Sequence, residues 1–272
     1  MKLIVTLLAR NEEDIIGENI KFHLDHGADF IIVTDNLSTD GTADILRDYE
    51  KDGVIEVIKE SSDTHDQSDW VTRMARLAYD KYQADWVINA DADEFWFPLG
   101  GSLKDSLSQV PPGFGSADVW INNFAIVDGD EPFWQRLIFR EVDYEYYLGG
   151  HASGRVCHRG RSDIFVFDGN HAVLYTDDHY EQSIPILILH FPVRSYAQFE
   201  RKIITGARAL ANRPERHSSV GNQWRTAYLA QQAGRLREDI YDPMLRDIPK
   251  ELEEGTLVMD TRLRDYFSEN LK

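Results

Sequence analysis

Four short apolar runs limit what this chain can fold into. Lys2 to Ala9, Phe30 to Val33, Val54 to Ile58 and Trp86 to Ala90 are apolar and rich in β-branched residues, the profile of buried strands. Helical spacing fills the gaps between them. Ile15, Ile16, Ile20, Phe22 and Leu24 follow the cap and first-turn acids Asn11-Glu12-Glu13-Asp14, with Gly27 as the stop. Ala43, Ile45, Leu46 and Tyr49 follow the turn from Asp35 to Thr42, and a third helix is predicted from Asp66 to Tyr82. Strands alternating with helices in this way predict an α/β fold with a doubly wound, mostly parallel central sheet flanked by helices. Such sheets bind ligands beyond the carboxyl ends of their strands, so the turns after the first, second and fourth strands are expected to meet one.

The fourth run leads straight into Asp91-Ala92-Asp93-Glu94, followed by Phe95-Trp96-Phe97-Pro98. Pro98 bars continuation as a regular element. Asp91 and Asp93 are two apart, so in an extended chain they share one face and can converge on one ion. Their oxygens suit Mg²⁺ or Mn²⁺, which usually also take substrate phosphates and water. The same residues also read as a solvated acidic turn that caps the next element.

At 272 residues the chain can bury a full core. Its 42% hydrophobic and 11% aromatic content excludes a disordered chain. The formal net charge of -18 argues against a nucleic-acid partner, which needs a basic stripe to displace counterions. A polyanionic ligand must be met locally, by a few Arg or Lys residues or through a cation. The single cysteine, Cys157, reads as a small buried residue in a reducing compartment. Leu3 to Ala9 is short for a signal peptide, and no segment is apolar enough to span a bilayer. The expectation is a cytoplasmic protein, soluble or peripheral at a membrane surface.

After Pro98 the pattern changes. Gly100, Gly101, Pro111, Pro112, Gly113 and Gly115 punctuate the chain, and short strands are predicted at Asp118 to Phe124, Arg136 to Arg140, Ile164 to Phe167 and Ala172 to Tyr175. Pro185 to Phe191 is a further buried strand, ending near His190, and Ser195 caps a helix through Phe199, Ile203 and Leu210. From Asn222 onward the chain reads as helices with charged faces. No repeat or linker separates independent domains, so the two halves are expected to share one core.

Several motifs carry a family likeness. Leu8-Ala9-Arg10-Asn11-Glu12-Glu13, Phe22-His23, Gly27-Ala28-Asp29, Asp35-Asn36-Leu37-Ser38-Thr39-Asp40-Gly41-Thr42 and Ala90-Asp91-Ala92-Asp93-Glu94-Phe95 stand in order. His190-Phe191-Pro192-Val193-Arg194-Ser195 follows later, with Phe199 and Lys202 beyond it. Together they resemble family 2 glycosyltransferases with the GT-A fold, over roughly residues 1 to 100 and 186 to 206. The resemblance implies a nucleotide-sugar donor, UDP- or GDP-linked, a divalent cation (Mn²⁺ or Mg²⁺), and transfer to a hydroxyl of a carbohydrate or glycolipid acceptor, with inversion. By matching positions, Ala9, Arg10, Asn11, Glu12 and Asp35 hold the base and ribose. Asp93 ligates the metal, Asp91 meets the ribose or a bound water or the metal, and His190 is the third metal contact. Lys202 is a candidate for the diphosphate. Asn36 departs from the family, where many members have a second aspartate. On this reading residues 1–100 are a donor-binding half, 101–221 complete the acceptor and metal sites, and 222–272 are a helical extension, all one catalytic unit.

Each assignment has a plainer alternative. Asp35 also starts an Asx-type turn, His190 also reads as a core histidine, and Asp40-Gly41-Thr42 reads as turn and helix entry. Arg73 and Arg76 lie three apart on the third helix, so one reaches the donor or both are surface residues. An inverting transfer needs a general base. Asp130 and Glu131, between Gly129 and Pro132, are the first candidates, ahead of Asp168 in the turn Asp168-Gly169-Asn170, with Asp177 and Asp178 as further options. Trp96, Trp120, Phe124 and Trp134 either stack on sugars or fill the core. A loop closing over the donor is sought after His190 or in His151 to Arg161. Two other classes compete: an aspartate-based phosphatase or phosphotransferase, whose Asp-x-Asp normally follows the first strand, and a non-catalytic carbohydrate-binding protein.

Overall fold

The computed structural model describes residues 1–64, 66–142, 145–146, 150–151, 154–174, 180–181, 184–212 and 222–270. The strands are β1 (Leu3–Ala9), β2 (Phe30–Asn36), β3 (Ile55–Glu60), β4 (Trp86–Asp91), β5 (Glu94–Pro98), β6 (Ser116–Asn123), β7 (Phe139–Glu141), β8 (Glu145–Tyr146), β9 (Gly150–His151), β10 (Arg155–Arg159), β11 (Phe165–Val166), β12 (Val173–Leu174), β13 (Tyr180–Glu181), β14 (Ile186–His190) and β15 (Leu257–Met259). The α-helices are α1 (Ile16–Asp25), α2 (Thr42–Lys51), α3 (Gln67–Asp80), α4 (Leu103–Leu107), α5 (Phe133–Arg136), α6 (Tyr196–Ala211), α7 (Asn222–Gln232), α8 (Asp242–Met244), α9 (Ile248–Glu254) and α10 (Arg262–Asn270). These elements gather into two compact units, one of residues 1–121 and 153–189 and one of residues 122–152 and 190–272.

The first unit is a mixed α/β layer structure around one sheet of order β3-β2-β1-β4-β10-β6-β14-β5, with β13 beside β6. β1 pairs in parallel with β2 on one side and β4 on the other, and β2 pairs in parallel with β3. The chain therefore runs outward from β1 to β3 and then returns to the far side of β1. That reversal opens a crevice at the carboxyl ends of β1 and β4. Burial on both faces explains the unbroken apolar runs, since a sheet covered by helices on both sides needs no polar alternation. Ile4, Ile32 and Val87 meet Val71, Met74, Ala75 and Ala78 of α3 in one cluster. Each of the Ile, Val and Met side chains among them contributes roughly 2 kcal/mol by leaving water.

Two features of this sheet differ from the sequence reading. The apolar run after the acids is itself a strand, β5, so Asp93 sits in a tight turn between two strands. Arg155 to Arg159, sought as part of a closing loop, is instead a central strand, antiparallel to both β4 and β6. Glycines let it in: a Cβ at Gly160 would stand 1.9 Å from the Ala84 carbonyl oxygen, and one at Gly154 2.9 Å from that of Val119. Cys157 lies on this strand, fully buried, its thiol pushed up to about 12 by burial.

In the second unit β7 pairs antiparallel with β15, a strand that the charged C-terminal sequence did not announce. Arg136, the first residue of a predicted strand, is instead the last of the short helix α5, and the strand itself begins at Phe139. Ile126, Val193, Phe199, Ile203, Ala227, Leu236 and Tyr241 make its core cluster. Ser195 caps α6 as expected, its hydroxyl accepting the Gln198 N–H at 3.1 Å. No helix among the described residues is long and apolar enough to cross a membrane.

Candidate functional site

Strand register brings Ala9, Asp35 and Asp91 of the first unit to one edge. Ala9 pairs with Asp35, and Leu8 pairs with both Thr34 and Asp91, so β2 and β4 each finish within one residue of the end of β1. Beyond that edge, the loops after β1 and β2 are bolted together. Asn11, at φ 59°, accepts the Thr39 N–H at 2.7 Å, and its own N–H donates to Ser38 Oγ at 3.0 Å. The Glu12 N–H donates to Thr42 Oγ1 at 2.8 Å, and Glu13 accepts the Gly41 N–H at 2.8 Å. Asp35, buried, accepts the Ser38 N–H at 3.2 Å, which closes an Asx-type turn. Asp40 accepts both the N–H and the hydroxyl of Thr42, so Asp40-Gly41-Thr42 is turn and helix entry. Arg10 reaches Asp63 at 2.8 Å and donates to Asn36 Oδ1 at 3.3 Å.

Asn36 shows why an aspartate would not serve here. Its amide donates to the carbonyl oxygens of Glu60 at 3.3 Å and Ser62 at 2.8 Å. A carboxylate only accepts, and would face two carbonyls with nothing to give.

The acidic turn is held from two directions. Buried Asn19 on α1 donates to the carbonyls of Ala92 at 3.0 Å and Glu94 at 2.8 Å. His23, one turn on, accepts the Trp96 N–H at 3.4 Å, and its Nδ1 lies 2.9 Å from the Asn19 carbonyl. This pattern calls for the neutral ring with its proton on Nδ1, and burial lowers the His23 pKa to about 3. Glu94 folds back so that its Oε2 accepts the Asp91 N–H at 3.2 Å.

Arg155 holds the turn from the other direction. Its Nη2 stands 2.7 Å from Glu94 Oε1 and 3.8 Å from Asp91 Oδ2, and its Nη1 lies 3.0 Å from His171 Nδ1. Glu94 is wholly buried. Burial pushes its pKa up, with the push of Asp91 and Asp93, while the Arg155 guanidinium beside it favours the carboxylate. Neither Asn19 nor Arg155 is among the sequence candidates. Arginine is usually an exposed residue, and the one local signal is a short run with Val156 and Cys157 at its centre, bracketed by Gly154 and Gly160.

Asp91 is part-exposed at 31% of its side chain, and Asp93 is 4% exposed. Two hard oxygen donors on one turn match a Mg²⁺ or Mn²⁺ site in which one or two carboxylates serve and substrate phosphates and water supply the rest. Among the described residues no three His, Cys, Asp or Glu side chains form a ready-made cage.

The other candidates fall as follows. Arg73 meets Glu60 at 3.2 Å, and Arg76 donates to the Ile164 carbonyl at 2.8 Å. Asp168 accepts the Ser68 N–H at 3.1 Å, in the first turn of α3. In the second unit, His190 is buried with Nδ1 2.8 Å from Asn123 Oδ1, a contact in which Nδ1 carries the proton and Nε2 the lone pair. Lys202 donates to the Pro192 carbonyl at 3.4 Å. Asp130 and Glu131 are exposed, on a loop whose ends Arg136 ties through the carbonyls of Val127 and Glu131. The segment after His190 is tied down too: Arg194 donates to the Phe191 carbonyl and its own carbonyl accepts from Arg136. Asp177 and Asp178 lie outside the described residues. Trp96, Phe124 and Trp134 are buried, whereas Trp120 is 49% exposed.

Comparison with known proteins gives one family match. The model of glycosyltransferase family 92 matches residues 5–112, which contain the sheet edge and the acidic turn. No curated protein sequence matches the chain. Among solved structures, the chain is similar to TarS 1-349 from S. aureus, at 13% identity over 88% of this chain and 74% of that one, with a TM-score of 0.46. It is similar to the mannosyltransferase PcManGT from Pyrobaculum calidifontis in complex with GDP-Man and Mn²⁺, at 15% identity over 78% and 63%, TM-score 0.43. A third is glucosyl-3-phosphoglycerate synthase from Mycobacterium tuberculosis in complex with Mn²⁺, UDP and glucosyl-3-phosphoglycerate, at 20% identity over 50% and 47%, TM-score 0.32.

Proposed function

We propose that this chain is a metal-dependent glycosyltransferase that binds a nucleotide-sugar donor at the carboxyl edge of β1, β2 and β4 and transfers the sugar, with inversion, to an acceptor hydroxyl. The observation that carries the reading is the register: it aligns Ala9, Asp35 and Asp91 at the topological switch between β1 and β4. The family match over residues 5–112 supports it. Ala9 to Glu12 and Asp35 hold the base and ribose. Asp91 and Asp93 would hold Mn²⁺ or Mg²⁺, which when bound supplies Lewis-acid stabilisation of the leaving diphosphate. The chain's own part is to keep two carboxylates on a rigid turn, so that little ordering remains to be done when the donor arrives. His190 as a further ligand, Lys202 and Arg73 as donor contacts, and Glu131, Asp130 or Asp168 as general base are proposals that single substitutions test. The acceptor is a carbohydrate or glycolipid.

Calorimetric titration of UDP and of GDP with Mn²⁺, with chelator, and into Asp93→Ala tests the reading. Binding of one nucleotide that requires Mn²⁺ and is lost in the variant is expected. Binding of neither, or binding that ignores both metal and variant, overturns it.

A further inference from the structure

Buried Arg155 is not accounted for by the donor and metal assignments. A buried ion pair is weak as a source of stability, because desolvating both charges offsets their attraction, and an apolar pair of similar volume would stabilise the fold as well. What a guanidinium adds is geometry: a planar fork that fixes the groups it meets. Two contacts of Arg155 bear on the orientation of the acidic turn. Its Nη2 stands 2.7 Å from Glu94 Oε1, while the other oxygen of that carboxylate accepts the Asp91 N–H at 3.2 Å. The same nitrogen is 3.8 Å from Asp91 Oδ2. From outside the turn, His171 Nδ1 lies 3.0 Å from Nη1 and 3.1 Å from the Gly154 carbonyl oxygen, which brings the ring against both the guanidinium and the start of its strand. β10 itself is seated between β4 and β6, with Cys157 opposite Ile88, so the fork rests on a central strand rather than a loop.

We infer that Arg155 is the positioning residue of the donor site: through Glu94 it sets the backbone of Asp91, and it aims the Asp91 and Asp93 carboxylates at the place a divalent cation and diphosphate occupy. The inference rests on the donor reading proposed above. It assigns Arg155 no contact with the reacting atoms. Groups that orient metal-binding side chains are worth roughly 10- to 100-fold in metal affinity, and a loss of that size is expected on removing the fork.

Arg155→Met alone strands a buried carboxylate and risks failing to fold. The test therefore uses Arg155→Met/Glu94→Met, in which an apolar pair replaces the ion pair, together with Arg155→Lys. Thermal melting establishes that each variant is folded. Calorimetry then measures Mn²⁺ binding in the presence of UDP or GDP, and the electron paramagnetic resonance of bound Mn²⁺ reports its ligand field. A folded double variant that binds Mn²⁺ and nucleotide at least roughly tenfold more weakly than wild type, with Arg155→Lys failing to restore wild-type affinity and Mn²⁺ spectrum, supports the inference. Wild-type binding in the folded double variant overturns it and leaves the donor reading intact. Full affinity in Arg155→Lys also overturns it, because charge without the fork would then suffice. Absence of Mn²⁺-dependent nucleotide binding in wild type itself overturns the donor reading and this inference together.

Discussion

His23 reports the state of the turn anchor. It is buried and neutral, and its pKa is lowered to about 3 because burial disfavours the charged ring. In the unfolded chain an ordinary histidine takes up a proton near pH 6.5, so below that pH the unfolded state binds more protons than the folded one. The contribution of His23 to stability is therefore complete above about pH 6.5 and is lost as the pH falls toward about 3. Between about pH 7 and pH 5 the loss is about 2 kcal/mol. Denaturant unfolding of wild type and His23→Gln across that range should show a shallower slope in the variant, whose amide can still donate to the Asn19 carbonyl and accept from Trp96. Equal slopes would place the acid sensitivity elsewhere. Asp35 and Asp91 were readable as site candidates because acids in turns after apolar strands stand out. Asn19 was not: a lone Asn in a helix says nothing of the two carbonyls it donates to, which come from residues far along the chain.

Among the helices, α3 separates two roles for one residue. Asp168 accepts the Ser68 N–H in its first turn, where the unpaired amides of a helix need an acceptor. Asp168→Ala should cost about 1 kcal/mol of stability, and single-turnover transfer close to wild type would leave Asp168 with the capping role alone. A loss of turnover of a hundredfold or more, the order a general base contributes, would instead put Asp168 in the chemistry. Elements with a strong pattern were legible: β1 to β4 with their helices follow the apolar runs, and α6 begins at its serine cap. β10 was not, because its place rests on pairing with β4 and β6 rather than on its own composition. β15 was hidden for the same reason, being three residues paired with β7 inside a helical region.

At the scale of the whole molecule the net charge of -18 opposes a polyphosphate at long range. Salt screens such repulsion over a Debye length of about 10 Å at 0.1 M. With Mn²⁺ saturating, nucleotide association followed by stopped flow should therefore quicken as ionic strength rises from low values. A rate that falls with salt would mean a locally basic approach path that governs encounter. The sequence by itself determined the alternation of strands and helices, the parallel start of the sheet and the acids at its carboxyl edge, since periodicity and turn chemistry are local properties. Only the tertiary structure decided that a strand from residues 155–159 enters beside β4, that Asn19 and Arg155 grip the acidic turn, and that Asn36 braces the end of β3. The physical reason is that a buried polar residue is stable only with its partners in place, and those partners lie dozens of residues away, where no local pattern records them.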